Sequence, residues 1–242
     1  MKLPPSNKNI PRLFFCMLLV LWHSLIIIFY HRTGRLTPAI VNKNVRCFSL
    51  RILKTIKAHY QIEFMPGFSL QTGVPYIFMS NHMSLFDLPL IYANLPGTIR
   101  LLIKDSLFKM PLFGNALKLG GFLGVDRKHP NQMQTLFSQA KEMANQEIML
   151  WIFPEGTRSG NGRLLPLKMG GFRLARELKA HIIPVGIMGT DKALPTKTWL
   201  LQLNSSLKMT IGNPIDANLF PIESQTHLMN LVAQTIEKLC FP

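Results

Sequence analysis

His82 and Asp87 stand five residues apart in Asn81-His82-Met83-Ser84-Leu85-Phe86-Asp87, directly after the apolar run Tyr76–Ser80. A histidine can take a proton from a hydroxyl when a carboxylate holds its other ring nitrogen. On one helix, residues five apart point about 140° away from each other. The pair can therefore meet only if His82 lies in a loop and Asp87 opens the helix that follows. Ser84-x-x-Asp87 has the form of a capping box, which places a helix start here. The same pattern also fits a plain capping aspartate beside an ordinary loop histidine.

A second group follows another apolar run, Ile148–Phe153: Phe153-Pro154-Glu155-Gly156-Thr157-Arg158. Pro-Glu-Gly is ordinary turn chemistry, and Glu155 could simply pair with Arg158. Alternatively, Arg158 can fork onto a phosphate while Glu155 accepts from a hydroxyl, which suits an anionic, hydroxylated ligand. A third run, Gly121-Phe122-Leu123-Gly124-Val125-Asp126-Arg127, ends in a cation that is either a ligand for an anion or half of a surface pair.

The elements that must hold these groups follow from periodicity. Short apolar runs predict strands at Tyr76–Ser80, Ile99–Ile103, Phe122–Val125, Ile148–Phe153, Ile182–Ile187 and Leu207–Ile211. Helical spacing predicts helices near Leu85–Ala93, Asn131–Asn145 and Gly171–Leu178, and a last one through Leu228, Leu231, Val232, Thr235, Ile236 and Leu239. Strands alternating with helices imply an α/β fold: a single domain with a mostly parallel central sheet flanked by helices, and sites beyond the strand ends. No P-loop, dinucleotide fingerprint, nucleophile elbow or H-E-x-x-H is present, so the usual support for nucleotide hydrolysis, serine-hydrolase chemistry and zinc proteolysis is missing.

The first sixty residues differ from the rest. Of 242 residues 48% are hydrophobic and 16% charged, which excludes disorder, and three cysteines are too few for a disulfide framework. Lys and Arg number 27 against 12 acids, yet residues 1–62 hold ten of those cations and no acid. A basic, apolar start ahead of a nearly balanced domain points to a membrane surface before nucleic acid. Residues 13–30 contain no Lys, Arg, Asp or Glu. As a helix that run is roughly 27 Å long, just short of a bilayer core. It is long for a signal peptide and lacks a cleavage site, so it reads as an anchor that either spans or dips in. Cations flank it on both sides, which leaves orientation open. A second helix over about 38–57 puts Val41, Val45, Phe48, Ile52 and Ile56 on one stripe, opposite Lys43, Arg46, Arg51, Lys54 and Lys57. That stripe packs either on the domain or in the membrane interface. The expected division is a two-helix membrane-associated segment at 1–60 and a catalytic domain at 61–242.

Taken in order, N-H-x-x-x-x-D at 81–87, G-x-x-x-x-x-R at 121–127, F-P-E-G-T-R at 153–158 and Ile182-Ile183-Pro184-Val185 resemble the four blocks of the glycerolipid acyltransferase family, most closely the 1-acylglycerol-3-phosphate acyltransferases. The second block departs from the family's usual form at Gly124, where a bulkier apolar residue is common. The resemblance implies a lysophospholipid acceptor, an acyl-CoA or acyl carrier protein donor, and phosphatidate as product. No cofactor, metal or nucleic acid is expected. By matching position it implies His82 as general base and Asp87 as its orienter. Arg127 and Arg158 would bind the acceptor phosphate, Glu155 would contact the glycerol, and Gly156 and Thr157 belong to the same substrate-binding block. Lys104 resembles a further phosphate-binding lysine. The N-terminal helices resemble the family's membrane-docking hairpin, which implies a bacterial inner membrane with the domain on its cytoplasmic side. The alternatives are another lyso-lipid acceptor, such as a lyso-ornithine lipid, and a catalytically silent lipid-binding adaptor. With no cysteine in any block, a covalent acyl-enzyme lacks an obvious nucleophile, and direct attack by the acceptor hydroxyl is expected.

Overall fold

The computed structural model of the chain describes residues 9–95, 97–125, 132–160 and 162–241. Two helices come first, α1 (Ile10–Arg32) and α2 (Pro38–Thr55), followed by the strand β1 (His59–Phe64). Then come β2 (Tyr76–Ser80), α3 (Asp87–Asn94), β3 (Ile99–Lys104), α4 (Phe113–Leu119), β4 (Leu123–Val125), α5 (Gln132–Asn145) and β5 (Met149–Ile152). The chain continues through α6 (Met169–Glu177), β6 (His181–Met188), α7 (Thr190–Ala193), β7 (Ser206–Ile211), β8 (Ile215–Asp216) and α8 (Gln225–Cys240).

The strands form one sheet in the order β1-β7-β6-β2-β5-β3-β4, with β8 beside β6. Parallel pairing runs through β6, β2, β5, β3 and β4, and joins β1 to β7. β6 meets β7 and β8 antiparallel, so the expected mostly parallel sheet is mixed at that side. β2 is buried at every position, as a central strand covered on both faces must be. Its alternation sorts the two layers. Tyr76 and Phe78 face α2 and α3, whereas Ile77 and Met79 face α5, α6 and α8. Phe78 stacks on Trp151 of β5 at 5.2 Å between ring centroids.

Four elements lie outside the sequence expectations: β1, α4, α7 and the two-residue β8. β1 is an edge strand held by its pairing with β7; its side chains are exposed or half-buried, so burial leaves little pattern to read. The expected boundary at residue 60 falls inside it. α4 and α7 are seven and four residues long, too short for a 3.6-residue period to register.

α1 lies along the domain. Leu13, Cys16, Leu19, His23, Ser24, Ile27 and Ile28 form its buried stripe. The first three join the core shared with β2 and β6, and Ile27 packs with Val41 of α2 and Ala116 of α4. The two polar residues of the apolar run face protein: His23 Nδ1 lies 2.7 Å from Asn44 Oδ1 of α2, and Ser24 donates to Val20 O at 2.7 Å. The opposite face exposes Phe14, Phe15, Met17, Leu18, Leu21, Trp22, Leu25 and Phe29. α2 starts at Pro38, with Thr37 accepting from the Ile40 N–H. Its apolar stripe packs on the domain, and Lys43, Arg46, Arg51 and Lys54 remain exposed.

Candidate active site

β6, β2 and β5 run parallel, so the loops that leave their C-terminal ends share one edge of the sheet. Asn81 extends the β2–β6 register past the last strand pair. Its side-chain amide donates to Ile187 O and accepts from the Ile187 N–H, both at 2.8 Å. His82 follows in the loop and Asp87 begins α3. His82 Nδ1 and Asp87 Oδ2 are 2.6 Å apart.

Only half of the expected capping box forms: Asp87 Oδ2 accepts the Ser84 N–H, and Ser84 Oγ does not return the bond. Phe86 occupies the N-cap position of α3, and no side chain caps the helix. Asp87 turns back instead, and Oδ2 also accepts the N–H groups of Met83 and Ser84 at 2.8 and 3.1 Å. Ser84 is occupied elsewhere, donating to Leu194 O at 2.9 Å. The cause is geometric: a carboxylate that reaches a histidine upstream of its helix also meets the backbone between them. Asp87 is fully buried, and its second oxygen, Oδ1, accepts from Thr190 Oγ1. Four donors on a buried carboxylate offset its desolvation.

With Nδ1 committed to Asp87, the imidazole presents Nε2 as its free acceptor. The ring stacks on Phe153 at 3.9 Å between centroids and keeps 17% side-chain exposure. Backbone geometry fixes it further. The His82 N–H donates to Glu155 Oε1 at 2.7 Å, and His82 O accepts from the Ser159 N–H at 2.8 Å.

The turn after β5 closes with the Gly156 N–H on Phe153 O at 2.9 Å, and Gly156 takes a φ of 70°, where a side chain would be strained. Glu155 is 1% exposed, and Oε2 accepts from the Leu165 N–H at 2.9 Å. Its two oxygens thus brace the loop against His82, and it forms no pair with Arg158. Burial raises its carboxyl above the ordinary value, against the lowering effect of the Leu165 and His82 N–H groups.

Thr157 is exposed on this loop and Gly156 half-buried. Arg158 is half-buried and makes no hydrogen bond or ion pair among the described residues. Lys104 ends β3 in the open, facing Val125 across the β3–β4 pair. Arg127 lies outside the described residues. At Gly124 a side-chain carbon would lie 3.0 Å from the Phe108 ring, so that ring occupies the space a bulkier residue would take. Among the described residues no group of three His, Cys, Asp or Glu could hold a metal ion.

Ser159 and Thr190 are parts of this corner that the motif reading left out. Asn81 opens the first block, which assigned it no role of its own. Ser159 Oγ is buried without a partner among the described residues. Thr190 is separated from Asp87 by 103 residues, and no local pattern announces it.

A family model described as acyltransferase matches residues 61–188. The chain is 31% identical over 156 residues to 1-acyl-sn-glycerol-3-phosphate acyltransferase alpha of Homo sapiens, covering 61% of this chain and 54% of that protein. It is 36% identical over 158 residues to the 1-acyl-sn-glycerol-3-phosphate acyltransferase of Cocos nucifera, covering 64% of this chain and 51% of that protein. The chloroplastic enzyme BAT2 of Brassica napus is 29% identical over 168 residues, covering 67% of this chain and 48% of that protein. The chain spans about half the length of these curated relatives. Among solved structures, PlsC of Thermotoga maritima, titled a 1-acyl-sn-glycerophosphate acyltransferase, superposes with a TM-score of 0.69 at 22% identity. That superposition covers 94% of this chain and 97% of PlsC, and it speaks to the fold.

Proposed function

The chain belongs to the acyltransferase family, and from that premise we propose that it transfers an acyl group from a thioester donor to the free hydroxyl of 1-acyl-sn-glycerol 3-phosphate, making phosphatidate. The observation that carries this reading is the His82 Nδ1–Asp87 Oδ2 pair, which leaves Nε2 to act on a hydroxyl.

In the proposed step the acceptor oxygen attacks the thioester carbon while His82 Nε2 takes its proton. Asp87 stabilises the imidazolium that forms. Collapse of the tetrahedral intermediate breaks the C–S bond, and the proton returns to the departing thiolate. The ester and a free thiol are the products. Glu155 holds the His82 backbone, and Gly156 and Thr157 carry the turn to Arg158. That guanidinium, without a partner among the described residues, is the proposed ligand of the acceptor phosphate, with Arg127 and Lys104 as further cations. Holding both substrates in register supplies the entropic part of the rate. The donor is acyl-CoA or acyl carrier protein.

The acceptor is a lipid, and α1 supports a seat for it. Among the described residues α1 is the one helix long and apolar enough to cross a membrane. Because one stripe packs on α2, α4 and the core, we read it as lying in the interface, with its aromatic face in lipid and the α2 cations at anionic head groups. A bacterial inner membrane, with the domain on its cytoplasmic side, is the proposed location. The test is the full chain with 1-acylglycerol 3-phosphate and other lyso-lipids, both donors, and product identified by mass. Phosphatidate formation that His82→Ala abolishes is expected. Product from a lyso-ornithine lipid alone would move the reading to that acceptor, and no product from either donor would overturn it.

A further inference from the structure

Asp87 is held from outside its own loop. Besides His82, Met83 and Ser84, which bond to Oδ2, it receives one donor from a distant segment: the Thr190 hydroxyl on Oδ1. Both side chains are fully buried. Three further bonds tie the same segments together on either side, two between Asn81 and Ile187 and one from Ser84 Oγ to Leu194 O. Thr190 therefore sits at the middle of a three-point seam between the loop after β2 and the turn after β6. Gly189 sets its approach. With a φ of 83°, it passes so close to the Ser206 carbonyl oxygen that any side chain there would collide with it. The turn out of β6 thus brings the Thr190 hydroxyl to the carboxylate.

We propose that Thr190 is a positioning residue of the His82–Asp87 pair, holding Oδ1 so that Oδ2 is delivered to the imidazole in one orientation. This rests on the acyltransfer reading above. A carboxylate with a free Oδ1 can rotate about its Cβ–Cγ bond, and each departure from the observed angle misaligns the imidazole. The Thr190 hydroxyl also offsets the desolvation of Oδ1, because the carboxylate is fully buried.

The experiment compares wild type, Thr190→Val, Thr190→Ser and Thr190→Ala for kcat and acceptor KM, with folding followed by circular dichroism. Thr190→Val removes the hydroxyl at nearly constant shape, and we expect kcat to fall about tenfold, the scale of a lost hydrogen bond to a charged group, with acceptor KM unchanged. Thr190→Ser should restore kcat. If Thr190→Val does not fold, the Ser and Ala variants decide the matter, since they differ only in the hydroxyl. A hydroxyl-free variant with wild-type kcat overturns the proposal. So does a loss that falls on acceptor KM instead of kcat, or one that serine does not rescue, because packing alone would then explain it. Wild type without activity on any acceptor defeats the acyltransfer reading instead, and the two failures are distinct.

Discussion

At the His82 corner both oxygens of both buried carboxylates have donors: Asp87 takes four and Glu155 two. On the outer face of α1 the opposite holds. Eight large apolar side chains, from Phe14 to Phe29, are left exposed by the described residues. Buried carboxylates without partners and exposed apolar patches of this size are both costly, and the chain resolves only the first. The two carboxylates are completed by protein, whereas the face needs another phase to complete it. Chemistry and lipid contact are thereby divided between two regions, and each can be damaged without the other.

Substitution of His82 is the largest break on the corner side. His82→Ala should reduce turnover by about 10³-fold, since general base catalysis and its orientation both depend on that ring. Asp87→Asn should cost about 10²-fold through lost orientation and charge. Neither should change sedimentation with vesicles. Rates on detergent-dispersed acceptor and a flotation assay check both halves of the statement.

The face breaks in the other direction. Replacing Phe14, Leu18, Trp22 and Phe29 with Ser removes apolar area on the scale of ~2 kcal/mol per side chain, enough to weaken vesicle binding at least about 10²-fold. The fold should hold, because none of these four belongs to the buried stripe. Vesicle flotation together with the unchanged thermal transition reads the outcome. Full retention on salt-washed vesicles would show that the face is not the seat.

Arg158 sharpens the comparison because, like the face, it is left without a partner among the described residues. Arg158→Ala should cost about 1.5–3 kcal/mol in acceptor kcat/KM, with donor KM and Tm nearly unmoved. Equal losses for phosphate-bearing and phosphate-free acceptors would remove it from phosphate binding.

Glu155 gives the smallest effect, in the slope of stability with pH. Burial raises its carboxyl above the ordinary 4.5, so the folded chain holds a proton there more readily than the unfolded chain. Stability is therefore greater at low pH and declines as pH rises through the window above 4.5. Glu155→Gln lacks that decline, although its amide can accept from only one of the two N–H groups. The wild-type Tm advantage over Glu155→Gln should shrink as pH increases, in melts taken between pH 4 and 7. An advantage that grows with pH would contradict the raised carboxyl.

The two regions also differ in how far the sequence discloses them. His82 and Asp87 are five residues apart, and a strand, a loop and a helix start are enough to bring them together. Thr190 is far along the chain and reaches Asp87 only because β2 and β6 are neighbours in the sheet, a fact that residue spacing does not carry. Glu155 is similar: its motif is visible, but its partners, the N–H groups of His82 and Leu165, depend on how two loops meet. In α1 the difficulty is chemical. Leu13, Cys16 and Leu19 are as apolar as Phe14, Leu18 and Trp22, so hydropathy finds the helix and cannot say which side is covered. Only the burial of His23 and Ser24 marks the protein side, and in the sequence those two residues read as weak points of an anchor.

The most direct test of the division is the rate of phosphatidate formation by the four-serine α1 variant on two acceptors, one a long-chain lysophosphatidate in vesicles and the other a short-chain lysophosphatidate free in solution. If the corner is complete and the face only presents lipid, the soluble acceptor is used within about twofold of wild type, while the vesicle rate falls with vesicle binding. Equal losses on both acceptors, or no loss on either, would contradict the account.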